Sequence, residues 1–155
     1  MTTRATTCAR AKGVERRTQT YLCPGSKRPW KERHDLYVDD PDGWPMWGEV
    51  KGWDWNTILN EGGPYAVLAK AYKQAERAIA ENEQDWPLRR IEARGHVAFV
   101  SMRPRPFSVL WPKGSRRDDQ RLVMYELPGW GLAVITLAEF KQRIVDGRNE
   151  QEDAA

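Results

Sequence analysis

The stretch DLYVDDPDGWPMWGEVK, residues 35 to 51, decides the fold of this chain. Its two arms, 35 to 39 and 45 to 51, contain the Val, Tyr and Trp that are typical of β-strands. Between the arms, Pro41 and Gly43 are typical of a turn. The stretch therefore predicts a β-hairpin whose connection covers residues 40 to 44.

The length of this connection determines which side chains meet across the hairpin. With five connecting residues, Asp39 faces Pro45 and Asp35 faces Glu49. Glu49 and Lys51 project from the same face of their strand, about 6 to 7 Å apart along the backbone. A connection one residue shorter would place Asp35 and Glu49 on opposite faces, so their pairing requires this register or a bulge.

Further helices and strands are predicted on both sides of the hairpin. Apolar spacing predicts a helix over 5–22, which a loop over 23–30 follows. A second helix is predicted from Pro64 to about residue 83, with an apolar stripe that begins at Tyr65. The capping box TLAE (136–139) predicts the start of a last helix that ends near Val145. An apolar strand at 95–104 is expected at the centre of the sheet, with 107–111 and 121–127 beside it. The predicted class is α/β (α+β), with a mixed central sheet flanked by helices.

Length and composition indicate one globular domain. The chain has 155 residues, of which 40% are hydrophobic and 30% charged, and we expect one domain over 1–147 followed by a flexible acidic tail over 148–155. No apolar run approaches the roughly 18 to 20 residues of a membrane span, and the start lacks the apolar core of a signal peptide. We therefore expect a cytoplasmic protein with no membrane partner.

Basic residues are concentrated in two parts of the chain, although the net charge is only +3. The first part covers residues 4–33 and the second residues 103–117. Either part can bind phosphates or form an ordinary solvated face, and composition leaves both readings open. The candidate DNA-binding residues of the first part are Arg10, Lys12, Arg16, Arg17, Lys27 and Arg28.

A glutamate two residues before a lysine is weak evidence alone, because Glu139 and Lys141 repeat the pattern in the predicted last helix. The setting of Glu49 is different, since a hairpin can bring Asp35 next to it. Glu15 adds a third carboxylate, on a stripe of the first helix that is otherwise small or apolar. Such a carboxylate needs a metal, a lysine or an arginine as its partner.

Together these motifs resemble the PD-(D/E)xK nuclease superfamily, in particular its Holliday-junction-resolvase-like and viral replication or repair nucleases of phage type. The resemblance covers roughly residues 8 to 112. It consists of RAKGVERR on the first helix, RHDLYV and GEVK on the hairpin, and AYKQAERAI on the following helix, ahead of the strand HVAFVSMRP. It implies a restriction-endonuclease-like core.

The resemblance also implies a role for each motif residue. Asp35, Glu49 and the backbone carbonyl of Val50 correspond to the ligands of Mg²⁺ or Mn²⁺. Lys51 corresponds to the lysine beside the scissile phosphate, Glu15 to the acid of the first helix and Gln74 to a glutamine of the next helix. The implied activity is a metal-dependent endonuclease that leaves a 5′-phosphate and a 3′-hydroxyl.

The expected substrate is DNA, branched as in a Holliday junction or single-stranded, and the resemblance implies a possible homodimer. Trp53 and Trp55 are the tryptophans expected to contact unpaired bases. Two other classes remain open: a DNA-binding module without catalysis, and a protein-interaction domain that uses the Trp-rich segment 44–55. A pure DNA binder has little reason to place carboxylates among phosphate-binding residues, because they repel the ligand unless a metal intervenes.

Overall fold

The computed structural model describes residues 3 to 25 and 35 to 147, without the side chains of residues 3 to 12. The predicted tail, 148 to 155, lies outside the described residues. In chain order the described elements are α1 (Thr3–Leu22), β1 (Leu36–Asp39), β2 (Pro45–Lys51), α2 (Trp55–Asn60), α3 (Pro64–Glu81), β3 (Leu88–Ala93), β4 (His96–Ser101), β5 (Arg105–Leu110), β6 (Leu122–Leu127), β7 (Gly131–Thr136) and α4 (Leu137–Phe140). Short 3₁₀ helices cover Glu83–Asp85 and Asp118–Gln120, and a π-helical segment covers Lys141–Val145.

The main sheet has five strands in the order β1-β2-β5-β6-β7. Strands β2 and β5 run parallel, and every other neighbouring pair is antiparallel. Helices α1 and α3 both contact strands of this sheet. The predicted class, an α/β fold with a mixed sheet and flanking helices, is confirmed.

The first hairpin has the predicted register. Asp39 pairs with Pro45, and the pairing continues to Leu36 opposite Gly48. Asp40 builds the turn, because its Oδ1 accepts hydrogen bonds from the backbone amides of Asp42 (2.9 Å) and Trp44 (2.8 Å). The five-residue connection therefore follows from local hydrogen bonds that an aspartate at position 40 can supply.

Two apolar cores cover the two faces of the main sheet. Val50 belongs to the core that also contains Val14 of α1 and Phe140 of α4, whereas Leu68 of α3 belongs to the other. Because side chains alternate along a strand, Glu49 lies on the face opposite Val50, the one covered by α3. The position of Glu49 under α3 thus follows from the burial of its neighbour.

Helix α1 differs from prediction in its start and in its buried stripe. It begins at Thr3 rather than residue 5 and ends at Leu22 as expected. The buried side chains include Val14, Thr18 and Leu22, and Glu15 is only half-buried beside them. Thr18 and Leu22 of the predicted stripe are therefore buried as expected, but Val14 rather than Glu15 packs into the core one turn before Thr18.

A buried glutamine joins α1 to the edge of the sheet. The Gln19 amide donates to the carbonyl oxygen of Tyr37 (2.7 Å), and the Tyr37 amide donates to Gln19 Oε1 (2.9 Å). These bonds satisfy backbone groups of an edge strand that would otherwise need water or another strand. They also hold α1 beside the hairpin, with Glu15 one helical turn away from Gln19.

The strand predicted at 95–104 forms over His96–Ser101, but its predicted position at the centre of the main sheet is wrong. Strand β4 pairs with β3, which was not predicted, in a separate two-stranded sheet whose residues are all exposed. Arg94 and Gly95 connect them at φ of 51° and 78°, as a tight hairpin turn requires. The centre of the main sheet is β5, where Phe107, Val109 and Leu110 are fully buried.

The two later helices start where predicted. Pro64 is the first residue of α3, although Tyr65 is exposed and does not belong to its buried stripe. Thr136 caps α4 by accepting a hydrogen bond from the Glu139 amide (3.2 Å), and helical structure continues to Val145. In the part of the chain that the structure describes, no helix is long and apolar enough to cross a membrane.

Candidate active site

Asp35 and Glu49 meet at the open end of the first hairpin. Extending the register by one residue beyond Leu36 and Gly48 places Asp35 opposite Glu49, as predicted. The two carboxyl groups share a hydrogen bond. Asp35 Oδ2 also accepts a hydrogen bond from the Val50 amide at 3.1 Å, which fixes the orientation of its side chain.

This contact changes the protonation of Glu49. Burial, followed by the hydrogen bond and charge of Asp35, raises the pKa of Glu49 to about 9. Lys51 opposes the shift and Glu15 adds to it, so both residues influence the same carboxyl group. The pair therefore retains a proton to a higher pH than two separate carboxyl groups would.

The backbone of Val50 faces the same carboxylate pair. The amide and the carbonyl of one strand residue point to the same side of the strand. Since the Val50 amide donates to Asp35, its carbonyl also points to the β1 side, beyond the start of β1 at Leu36. This orientation places the Val50 carbonyl oxygen on the same side of β2 as Asp35, and its role as a metal ligand stays a prediction.

Gln74 shares a cavity with Glu49. The cavity has a volume of about 310 Å³ and is lined by Glu49 of β2 and, from α3 and the residue after it, by Gln74, Arg77, Ala78, Glu81 and Asn82. Gln74 is exposed on the side of α3 next to the buried Ala75. The structure thus brings together the two residues that sequence placed on separate elements.

Arg77 and Glu81 were not predicted. They follow Gln74 at intervals of three and four residues, and this spacing places all three on one face of a helix. The signal that would have found them is therefore this spacing, counted forward from Gln74. Arg77 adds a cation and Glu81 a carboxylate to the lining of the cavity that Glu49 and Gln74 share.

Lys51 lies at the end of β2 with its Nζ 5.4 Å from the centre of the Trp53 ring. Trp53 is half-buried and packs against the core under α3. Trp55 is the first residue of α2 and is 41% exposed. Trp53 therefore limits where the Lys51 ammonium can lie, whereas Trp55 is the more accessible of the two candidate base-stacking residues.

Glu15 acts on Glu49 through its charge. Although it contributes to the raised pKa of Glu49, no group of three or more His, Cys, Asp or Glu side chains within the described residues is arranged to hold a metal ion. The carboxylates in direct contact are Asp35 and Glu49. Glu15 thus lies near the site without completing a three-carboxylate cluster.

The structure describes only some of the predicted DNA-binding residues. Arg16 and Arg17 are exposed on α1. The side chains of Arg10 and Lys12, and all of Lys27 and Arg28, lie outside the described residues. In the second basic stretch, Arg103 lies over Trp86 (5.3 Å) and Arg105 over Trp44 (4.8 Å). These contacts give two of the tryptophans a structural role.

Comparison with known proteins adds no assignment. No model of a known protein family matches the chain, and neither a curated protein nor a solved structure gives a significant match. The function of the protein is therefore inferred from the geometry of the site.

Proposed function

We propose that this protein is a metal-dependent endonuclease that hydrolyses phosphodiester bonds in DNA. The observation that carries this proposal is the hydrogen-bonded pair Asp35 and Glu49, with Lys51 two residues further along the same strand face. Two carboxyl groups in contact are stable when a proton or a cation lies between them. A divalent cation in place of the proton would make the pair a metal site.

The donor set suits Mg²⁺ or Mn²⁺. Both are hard cations that bind oxygen, and Mg²⁺ is commonly held by one or two carboxylates together with waters and substrate phosphates. Asp35, Glu49 and the Val50 carbonyl would hold the ion. When bound, it would polarise a phosphate oxygen and lower the pKa of a water.

The surrounding side chains would act on the substrate itself. The Lys51 ammonium lies beside the pair and would stabilise the negative charge that develops on the phosphate oxygens. Gln74 and Arg77 line the same cavity as Glu49, where they would donate hydrogen bonds to a phosphate or an attacking water. Glu15 would hold further waters from the side of α1.

We extend the proposal to branched or single-stranded DNA as the substrate and to a homodimer as the active form, on the resemblance to junction-resolving nucleases. A four-way junction has paired cleavage points, so a two-fold symmetric dimer would suit it. Exposed Trp55 supports the extension, because aromatic side chains stack on unpaired bases. A cleavage panel of junction, flap, single-stranded and duplex DNA tests it.

The decisive experiment compares two site variants with a matched control. Asp35→Ala and Glu49→Ala should abolish Mg²⁺-dependent nicking of flap or junction DNA while DNA binding is retained. Glu139→Ala changes the glutamate of the second E-x-K sequence, which lies on α4 and pairs with Arg143 (2.9 Å), and should cleave like the unchanged protein. Cleavage that survives both site substitutions would overturn the proposal, and DNA binding without cleavage in Mg²⁺ or Mn²⁺ would favour the non-catalytic module.

A further inference from the structure

A second cavity lies between α1 and the segment after β5, and it reaches Gly52, the residue that follows Lys51. Its volume is about 570 Å³, within the range of roughly 300 to 1,000 Å³ that is usual for small-molecule sites. Its lining includes Val14 and Arg17 of α1, Gly52 after β2, and Trp111, Lys113 and Arg121. Residues from both basic stretches of the sequence therefore meet in one concave site.

Backbone hydrogen bonds fix this cavity relative to the candidate active site. The Trp111 amide donates to the Lys51 carbonyl, and the Lys113 amide donates to the Trp53 carbonyl, both at 2.9 Å. Gly52, which follows Lys51, lies against α1 so closely that an added Cβ would be 2.8 Å from Val14. The loop that contains Lys113 is thus held next to the end of β2, where Lys51 would contact the scissile phosphate.

Three cations line the cavity, and one of them is held rigidly. The Arg121 guanidinium lies 3.7 Å from the Trp111 ring centre, donates to the Ser115 carbonyl (3.1 Å) and pairs with Asp118 (3.3 Å). Arg17 and Lys113 are exposed and form no ion pair with another described residue. The Lys113 charge is close enough to Asp54 to lower the pKa of that exposed carboxyl group, and both Arg17 and Lys113 remain accessible to an anionic ligand.

We propose that this cavity binds the phosphate backbone of the DNA strand, a nucleotide or more away from the phosphate that is cleaved. The inference rests on the proposed function and adds a substrate-binding site to it. Arg17 and Lys113 would bind a phosphate from the two sides of the cavity, since phosphates pair with both cation types. Arg121 would add positive potential without moving.

Binding measurements in EDTA test this site separately from cleavage. Arg17→Gln and Lys113→Gln should each weaken the binding of labelled single-stranded and flap DNA by about tenfold, the loss expected for one charge-assisted contact. Each substitution should also reduce the slope of log K for DNA association against log salt concentration by about 0.7 to 0.9 in magnitude. Arg89→Gln removes an equal charge from the exposed strand β3 and should bind nearly like the unchanged protein.

A steric variant keeps the charge constant. Gly13 lines the cavity from α1, and an added Cβ there would meet nothing within 4 Å. Gly13→Leu should therefore fold, because leucine favours helices over glycine, and should weaken DNA binding by filling the cavity. Circular dichroism and thermal unfolding verify folding.

The outcomes separate this inference from the nuclease proposal. Suppose that the protein without substitutions cleaves DNA and that Arg17→Gln, Lys113→Gln and Gly13→Leu all bind DNA as well as Arg89→Gln does. This result overturns the inference but leaves the nuclease proposal standing. If the protein without substitutions neither binds nor cleaves any DNA, both proposals are overturned.

Discussion

Asp35 and Glu49 share a hydrogen bond across the open end of the first hairpin, and the Val50 amide donates to the same aspartate at 3.1 Å. Asp35 thus interacts with both a side chain and the backbone, and burial together with the Asp35 contact raises the pKa of Glu49. A cation that replaces the proton shared by the two carboxyl groups would change both the charge and the stability of the site.

Mg²⁺ or Mn²⁺ should raise the melting temperature of the protein. A ligand that binds only the folded state at 100 times its Kd adds about 2.7 kcal/mol to the free energy of unfolding. Glu49→Gln should remove this shift because it removes one ligand, whereas Glu139→Gln should keep it. Thermal unfolding monitored by tryptophan fluorescence measures the effect, and an equal shift in both variants would contradict the assignment of Glu49.

Without divalent metal, the protein should become less stable as the pH rises from about 4.5 to about 9. Glu49 has an ordinary pKa of 4.5, and its pKa in the folded protein is about 9. Between these values the unfolded chain loses the proton and the folded protein keeps it, so the stabilisation present below pH 4.5 is progressively lost. Urea unfolding in EDTA, measured at several pH values for the protein and for Glu49→Gln, isolates this contribution. If the free energy of unfolding depended on pH in the same way for both proteins, the prediction would be refuted.

Lys51→Met should reduce kcat by about 10² to 10³ with little change in DNA affinity. The expected range is that for removal of one group that stabilises charge in the transition state. Lys141→Met is the matched control, because Lys141 is the lysine of the second E-x-K sequence and its Nζ lies over the Tyr21 ring instead (5.1 Å). If kcat fell equally in both variants, Lys51 would have no special role in the reaction.

Gly48→Ala should destabilise the protein by about 1 to 3 kcal/mol, the usual cost of overpacking a core. A Cβ at Gly48 would overlap the ring of Phe107, which is fully buried beneath β2. Gly13→Ala is the control, since an added Cβ there meets nothing and favours the helix. Urea unfolding measures both, and equal stability of the two variants would show that Phe107 can move aside.

The hairpin and the proximity of Asp35 to Glu49 could be predicted because local chemistry determines them. Asp40 and Gly43 set the length of the hairpin connection. Because side chains alternate along each strand, this length determines which residues pair, up to Asp35 and Glu49. Thr136 likewise caps the last helix through a contact three residues away. Gln74 could be placed near Glu49 only through the family resemblance, because no local pattern reports how α3 lies on β2.

The central strand could not be predicted because local pattern does not report which strands pair. His96–Ser101 is apolar and β-branched, as a buried strand would be, yet it pairs with β3 alone. Arg105–Leu110 contains Pro106, which lacks an amide donor and argues against a central position. That proline is tolerated because it precedes the first pair between β5 and β6, Phe107 opposite Tyr125. The cavity with Arg17 and Lys113 was missed for the same reason, as its two sides lie far apart in sequence.

The hairpin of β3 and β4 forms a sheet of its own, so it can be replaced as one unit. Its two ends are already joined, because the Met102 amide donates to the Pro87 carbonyl at 2.8 Å. Within the described residues its strands belong to no other sheet, so the main core loses no strand pairing if they are exchanged. Segment 88–101 is therefore the natural insertion point for a reporter or a crosslinking group, because it belongs to a different sheet from the one that carries Glu49.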